Sequence, residues 1–145
     1  MNDKIAHISS FSFEYRFLSN FYPCQVELDG VIYSSVEHAY QAAKTLNMEE
    51  RKPFHQTPAI SAAESKKLGR KLTLRPDWDD VKLQVMEDLL LQKFAAPKLR
   101  EKLLQTGDQL LVEGNYWGDT FWGVDHKKGG LNHLGQLLMK IRKKL

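Results

Sequence analysis

Glu37, Gln41 and Lys44 are spaced by four and three residues, which on a helix puts a carboxylate, an amide and an ammonium in one line. That line, offset from Val36 and Ala43, can bind a polar ligand and stabilise charge in a reaction. The alternative is that Glu37 completes a helix-capping box while Gln41 and Lys44 face water. A second stretch, Arg16-Phe17-Leu18-Ser19-Asn20-Phe21-Tyr22-Pro23, sets three aromatics around a Ser-Asn pair. Rings supply stacking surfaces for a flat heterocycle, and Ser and Asn its hydrogen bonds. An edge strand whose rings enter the core and whose Ser-Asn makes a turn would use the same residues. A third stretch, Gly114 to Gly130, combines five glycines with Tyr116, Trp117, Phe121, Trp122, Asp119 and Asp125. Glycine lets backbone approach a ligand closely, but Trp117, Phe121 and Trp122 could equally be core plugs beneath a surface loop. Lys127-Lys128 and the C-terminal lysines suit phosphate or plain solvation.

These residues need elements to hold them. Phe11-Ser-Phe-Glu-Tyr15 alternates and predicts a short strand. Gln25–Leu28 and Val31–Tyr33 flank Asp29-Gly30, a pair that favours a two-residue hairpin turn, so a small antiparallel unit is expected here. Ser34-x-x-Glu37 resembles a capping box opening a helix to about Leu46. Further helices are expected over Ala59–Leu68, from Pro76-Asp77 to about Phe94, and from Pro97 to Thr106-Gly107. Leu110–Glu113 reads as a strand and Gly114–Gly130 as a long loop. Leu134, Leu137, Leu138, Ile141 and Leu145 mark a last helix begun at Asn132, its basic end matching the helix dipole. The fold class is α+β, a predominantly helical single domain over 1–145 with a small antiparallel β unit.

The chain has 145 residues, 42% of them apolar and 27% charged, enough for one sizeable core. Lys and Arg exceed Asp and Glu by 21 to 18, a mild +3 that excludes a polybasic nucleic-acid packer. Cys24 is the one cysteine, so no internal disulfide is possible and a reducing, cytoplasmic setting is expected. The start carries Asp3 and Lys4 and no apolar core of a signal peptide, and no run approaches a membrane span. Phosphate-loop and dinucleotide-loop motifs are absent. His7, His38, His55, His126 and His133 are scattered without metal spacing, so neither metal nor cofactor is expected.

The motifs taken in order carry more. Phe17-Leu18-Ser19-Asn20-Phe21, Asp29-Gly30 and Tyr33-Ser34-Ser35-Val36-Glu37-His38-Ala39-Tyr40-Gln41-Ala42-Ala43-Lys44 are followed by Lys67-Leu68-Gly69-Arg70, Trp78, Lys93-Phe94 and Thr106-Gly107-Asp108. Then come Val112-Glu113, Asp119-x-x-Trp122-Gly123, Gly130-x-Asn132-x-Leu134-Gly135, Leu138-Met139 and Arg142. Each is weak alone; the ordered set, spanning residues 17 to 142, resembles the NADAR (YbiA-like) family.

The resemblance implies an N-glycoside hydrolase cutting the bond between ribose C1 and a base-like amine. Two substrate branches come with it: ADP-ribose on guanine in nucleic acid, and the ribosylamino-pyrimidine phosphates of riboflavin synthesis. Breaking a ribosyl C–N bond builds oxocarbenium-like charge, which a carboxylate stabilises, while water and leaving group need proton transfer. Glu37 matches the family's glutamate, with Asp119 the second candidate. Lys44 and Arg16 would meet phosphate or hold Glu37 ionised. Phe21 and Trp78 would wall the heterocycle, and Ser19, Asn20 and Asn132 would bond ribose or phosphate. Gln41, Trp122 and Gly123 complete the binding set. Only Asp125–Gly130 separates Trp122-Gly123-Val124 from Leu131-Asn132, shorter than in the riboflavin branch. A more open site leans toward ADP-ribosyl-guanine and an antitoxin-like role opposite a cognate ADP-ribosyltransferase toxin. With nearly the whole chain needed for catalysis and only +3 of charge, recognition is expected to come mainly from the modified nucleotide. A module that holds ADP-ribose or NAD without cleaving it is the non-enzymatic alternative.

Overall fold

The computed structural model describes residues 7–145. The chain forms two compact units, one from Asn20–Ala95 and one from the described residues up to Ser19 together with Ala96–Leu145. The described residues are predominantly helical with short strands, and include a small antiparallel unit, as expected.

In the Asn20–Ala95 unit, β1, Pro23–Leu28, pairs with β2, Val31–Ser35, across a turn in which Asp29 and Gly30 have φ of 50° and 82°. Two successive positive φ values match the right-handed twist of the strands, and Asp and Gly tolerate them. Val26 faces Tyr33 across the ladder, and both are buried. β2 runs straight into α1, Val36–Ala43, because Ser35 ends the strand and caps the helix: its Oγ accepts the His38 backbone N–H at 3.1 Å. The cap is therefore one residue later than Ser34, and the helix stops at Ala43, not Leu46. Every residue of α1 is buried, with Ala39, Ala42 and Ala43 keeping its surface small enough for neighbours on all sides. Those neighbours are α2 (Met48–His55), α3 (Ala62–Gly69) and α4 (Trp78–Lys93).

Sequence reading missed α2, since Pro53 and a run of charges disguise it. It is only two turns, capped by the Asn47 carboxamide and anchored by buried Arg51 and Phe54. α3 begins at Ala62, later than expected, behind a true capping box of Ser61 and Glu64. At the head of α4, Asp77 makes no side-chain cap because Arg75 holds its carboxylate at 2.6 and 3.0 Å.

In the other unit, β3 (His7–Ile8) lies parallel to β4 (Leu110–Leu111). The strand expected at Phe11–Tyr15 is instead a 3-10 helix, Phe13–Leu18. Strand geometry would put neighbours Phe17 and Leu18 on opposite faces, yet both are buried, while Phe13 is 90% exposed. α5 (Pro97–Gln105) packs on this helix, with the Lys102 ammonium over the Phe17 ring. α6 (His133–Lys144) buries Leu134, Leu138 and Ile141 and packs on β4. Between them, Gly114–Gly130 is a loop bearing one short parallel pair, Gly114–Asn115 (β5) with Val124–Asp125 (β6). No helix among the described residues is long and apolar enough to cross a membrane.

Candidate functional site

The Asn20–Ala95 unit assembles the line read from the sequence and buries it. Glu37 is the second residue of α1, where backbone N–H groups and the helix dipole favour a carboxylate. Its own N–H donates to the Asn20 carbonyl at 3.0 Å, and its Oε1 accepts from Gln41 Nε2 at 2.9 Å. Glu37 is 6% exposed and Gln41 4%, so the reading in which Glu37 caps while Gln41 faces water is overturned. A solvated face would not hold a carboxylate this way; one turn of helix fixes its position through a tether. Lys44, at the end of α1, is half-buried with its ammonium 5.6 Å above the Tyr40 ring. Burial pulls its pKa down, Glu37 pulls it back up, and the nearby charges of Arg70, Lys66 and Lys82 push it down again.

Those three cations were missed as site residues. Lys66 and Arg70 lie on either side of Gly69, which belongs to a motif already visible in sequence. Gly69 is where α3 touches α1, and a Cβ there would overlap the Gln41 carboxamide. Gln41 Oε1 consequently packs on backbone and, like Asn20 Oδ1, is buried without a hydrogen-bond donor among the described residues. Asn20 Nδ2 reaches Met86 Sδ at 3.5 Å. His38, next to Glu37, is fixed at both ring nitrogens, by Ser35 Oγ at 2.6 Å and the Ile60 carbonyl at 2.5 Å. A carbonyl only accepts, so Nε2 carries the proton. Phe21 is exposed, whereas Trp78 is buried with its ring 5.1 Å from Tyr40.

The other unit holds the remaining residues. Arg16 is exposed on the 3-10 helix, and Ser19 follows it, half-buried. Asp119 Oδ1 accepts the backbone N–H groups of Phe121 and Trp122 at 3.1 and 2.9 Å, folding the loop around itself. Phe121 and Trp122 are half-buried and meet edge to face at 4.8 Å, with His133 against both rings. Trp117 departs from the core-plug reading, being 62% exposed. Gly123 admits no side chain, because a Cβ would run into the Glu113 carboxylate and carbonyl. Asn132, at φ 54°, accepts from Glu113 N and donates to the Leu111 carbonyl, both at 3.0 Å. Its carboxamide thus fastens the loop to β4. Among the described residues no group of three His, Cys, Asp or Glu is placed to hold a metal ion.

The family model for the NADAR domain matches residues 8–145. The chain belongs to the NADAR family. Among curated NADAR-like relatives, the N-glycosidase Npun_R5314 of Nostoc punctiforme is 43% identical over 138 residues, covering 90% of this chain and 86% of that protein. The riboflavin biosynthesis protein VVA0006 of Vibrio vulnificus is 36% identical over 132 residues, 89% of this chain but 35% of that protein. The NMR structure of the Escherichia coli protein YbiA matches with a TM-score of 0.83 at 35% identity, covering 99% of this chain and 86% of that one.

Proposed function

We propose that this NADAR protein is an N-glycoside hydrolase whose Glu37 carboxylate stabilises the positive charge that develops on ribose C1 as the C–N bond breaks. The observation that carries this is the Glu37 geometry: a buried carboxylate at a helix N-terminus, held by Gln41 and electrostatically coupled to Lys44. A carboxylate fixed in advance and shielded from water stabilises a developing cation far better than a mobile surface one. The N-glycosidase name of the Nostoc relative supports the same reaction class.

The buried Asn20 Oδ1 lacks a donor, which suits a ligand rich in hydroxyl or amino hydrogens, such as a ribosyl amine. Lys44 with Lys66, Arg70 and Lys82 forms a cationic neighbourhood suited to phosphate. Asp119, with one oxygen already accepting two backbone N–H groups, is assigned to shaping its loop. Glu37 then also takes the proton of the attacking water. The substrate we assign is ADP-ribose on guanine in nucleic acid, with a cognate ADP-ribosyltransferase toxin as functional counterpart. The second reading, ribosylamino-pyrimidine phosphates, is favoured by the riboflavin name of the Vibrio relative.

Incubating pure protein separately with an ADP-ribosylated guanine oligonucleotide and with the riboflavin intermediates tests both. Free ADP-ribose from the first and no turnover of the second is expected. Turnover of the pyrimidines alone would select the other branch, and saturable binding without product would leave a binding module.

A further inference from the structure

α3 is the element that brings Lys66 and Arg70 to Lys44, yet little of its own surface holds it in place. Lys66 and Arg70 are four residues apart and share a face of the helix. α3 buries only Ser65 and Gly69. Neither offers a large apolar side chain, so burial contributes little to docking α3 on α1 and no bulky group interlocks the two helices. The cations oppose docking as well, since Lys66 and Arg70 repel the Lys44 ammonium.

The start of α3 is held by a polar contact instead. The peptide group joining Ile60 to Ser61 is fixed at both ends. Its N–H, on Ser61, donates to Glu64 Oε1 at 3.1 Å within the capping box. Its carbonyl, on Ile60, accepts from His38 Nε2 of α1 at 2.5 Å. His38 is 5% exposed, and its ring is pinned on the other side too. Ser35 Oγ, which accepts the His38 backbone N–H at 3.1 Å, also lies 2.6 Å from Nδ1. Ser35 ends β2 and caps α1, so the ring is referenced to the same helix start that carries Glu37.

We propose that His38 is a positioning residue, a latch that docks the head of α3 on α1 and so places Lys66 and Arg70 in advance for the phosphate groups of the substrate. Both ring nitrogens are already engaged, so His38 acts through α3 and not on the reacting atoms. With the latch closed, the repulsion among the cations is overcome before the anion arrives. Without it the anion must itself draw α3 in, and the binding free energy used for that ordering is lost from affinity. The loss falls on KM and leaves kcat, because Glu37 is held by Asn20 and by Gln41 of its own helix. The latch rests on the hydrolase reading for the identity of the anion, not for the hydrogen bond itself.

Two variants separate the two bonds of the ring. The amide nitrogen of Gln stands near the place of Nε2 and can still donate to Ile60, whereas the amide of Asn stands near Nδ1 and leaves that carbonyl without a donor. With an ADP-ribosylated guanine mononucleotide as substrate, His38→Asn is expected to raise KM about tenfold at nearly constant kcat, as the loss of one buried hydrogen bond implies. His38→Gln should restore most of it. Glu64→Ala loosens the same peptide from the solvent side and should raise KM about threefold, while Glu64→Gln, which keeps the capping box, should not. That pair carries the test if the His38 variants do not fold. Hydrogen exchange reads the latch without turnover: α3 amides should exchange about tenfold faster in His38→Asn, α4 amides should not change, and inorganic pyrophosphate should slow α3 again. A loss confined to kcat, a His38→Gln no better than His38→Asn, or unchanged α3 exchange in a folded His38→Asn each overturns the proposal. A wild type that hydrolyses neither substrate overturns the hydrolase reading instead, and the exchange experiment then decides the latch by itself.

Discussion

Glu37 is held at its backbone by Asn20 and at its side chain by Gln41, so its charge and its placement can be varied separately. Glu37→Gln keeps the shape but removes the charge. Turnover in a discontinuous product assay should fall by about 10²–10³-fold or more, with an unchanged circular dichroism spectrum. A folded Glu37→Ala protein with normal turnover would falsify the mechanism. Gln41→Leu keeps the charge and removes the tether, so a smaller loss and a shifted pH–rate profile are expected. Lys93 lies outside this chemistry. It is 1% exposed, beside Cys24 and over the Tyr22 and Phe94 rings, and burial lowers its pKa to about 8. Below pH 8 it is protonated both folded and unfolded, and burying the charge costs roughly 3 kcal/mol. Between pH 8 and the ordinary lysine value only the unfolded chain keeps the proton, so this cost fades as pH rises. Lys93→Met should therefore stabilise the protein at pH 7, and its advantage in urea unfolding should shrink by pH 10. An advantage constant from pH 7 to 10 would show that buried charge is not the cause.

Among the elements, the contact of α3 on α1 bears most directly on Glu37. Gly69→Ala must displace the Gln41 carboxamide, and overpacking of this kind costs about 1–3 kcal/mol. Adding Gln41→Ala makes room, so a double-mutant cycle by urea denaturation should recover part of that loss. Additive losses would show that the two residues do not meet. The hairpin offers a simpler case. Gly30→Ala meets no neighbour but must adopt φ of 82°, so it should cost about 1 kcal/mol through backbone strain alone. What was legible in the sequence follows the same division. The Asp29-Gly30 hairpin, α1 and α4–α6 are set by local signals, namely turn residues, caps and apolar period, and were readable. α2 was not, because Pro53 and its run of charges hide the helix, and the burial of its anchors Arg51 and Phe54 comes from packing on α1 and β2. The alternation of Phe11, Phe13 and Tyr15 also misled: Phe13 is 90% exposed, and the residues buried here are Phe17 and Leu18, outside that alternation. Glu37, Gln41 and Lys44 could be found by spacing. The Gly69 contact and the cations beside it depend on how two helices meet. Asn132 and Asp119 were found as polar loop residues, but only the hydrogen bonds show them shaping backbone.

At the scale of the whole chain, Asn20–Ala95 is contiguous while the other unit draws on two distant segments. The ends of the contiguous unit meet within it: Gln92 exchanges hydrogen bonds with the Glu27 backbone at 2.7 and 2.9 Å, and Lys93 sits over Tyr22. Joining the two distant segments first would mean closing a long flexible loop, whose entropy cost grows with length. Folding Asn20–Ala95 first removes much of that cost. Pulsed hydrogen exchange during refolding should show α1 and α4 amides protected before those of α6 and β4; the reverse order would refute this sequence of events. The same arrangement matters during synthesis. Ile8 pairs beside Leu111, so the ribosome must add roughly a hundred residues before that partner exists. At about 5–20 residues per second, that is a wait of about 5–20 s. Through it, Ile8, Phe17 and Leu18 emerge without the segment that will bury them, which makes the stretch from Ile8 to Leu18 the one that a ribosome-associated chaperone would hold.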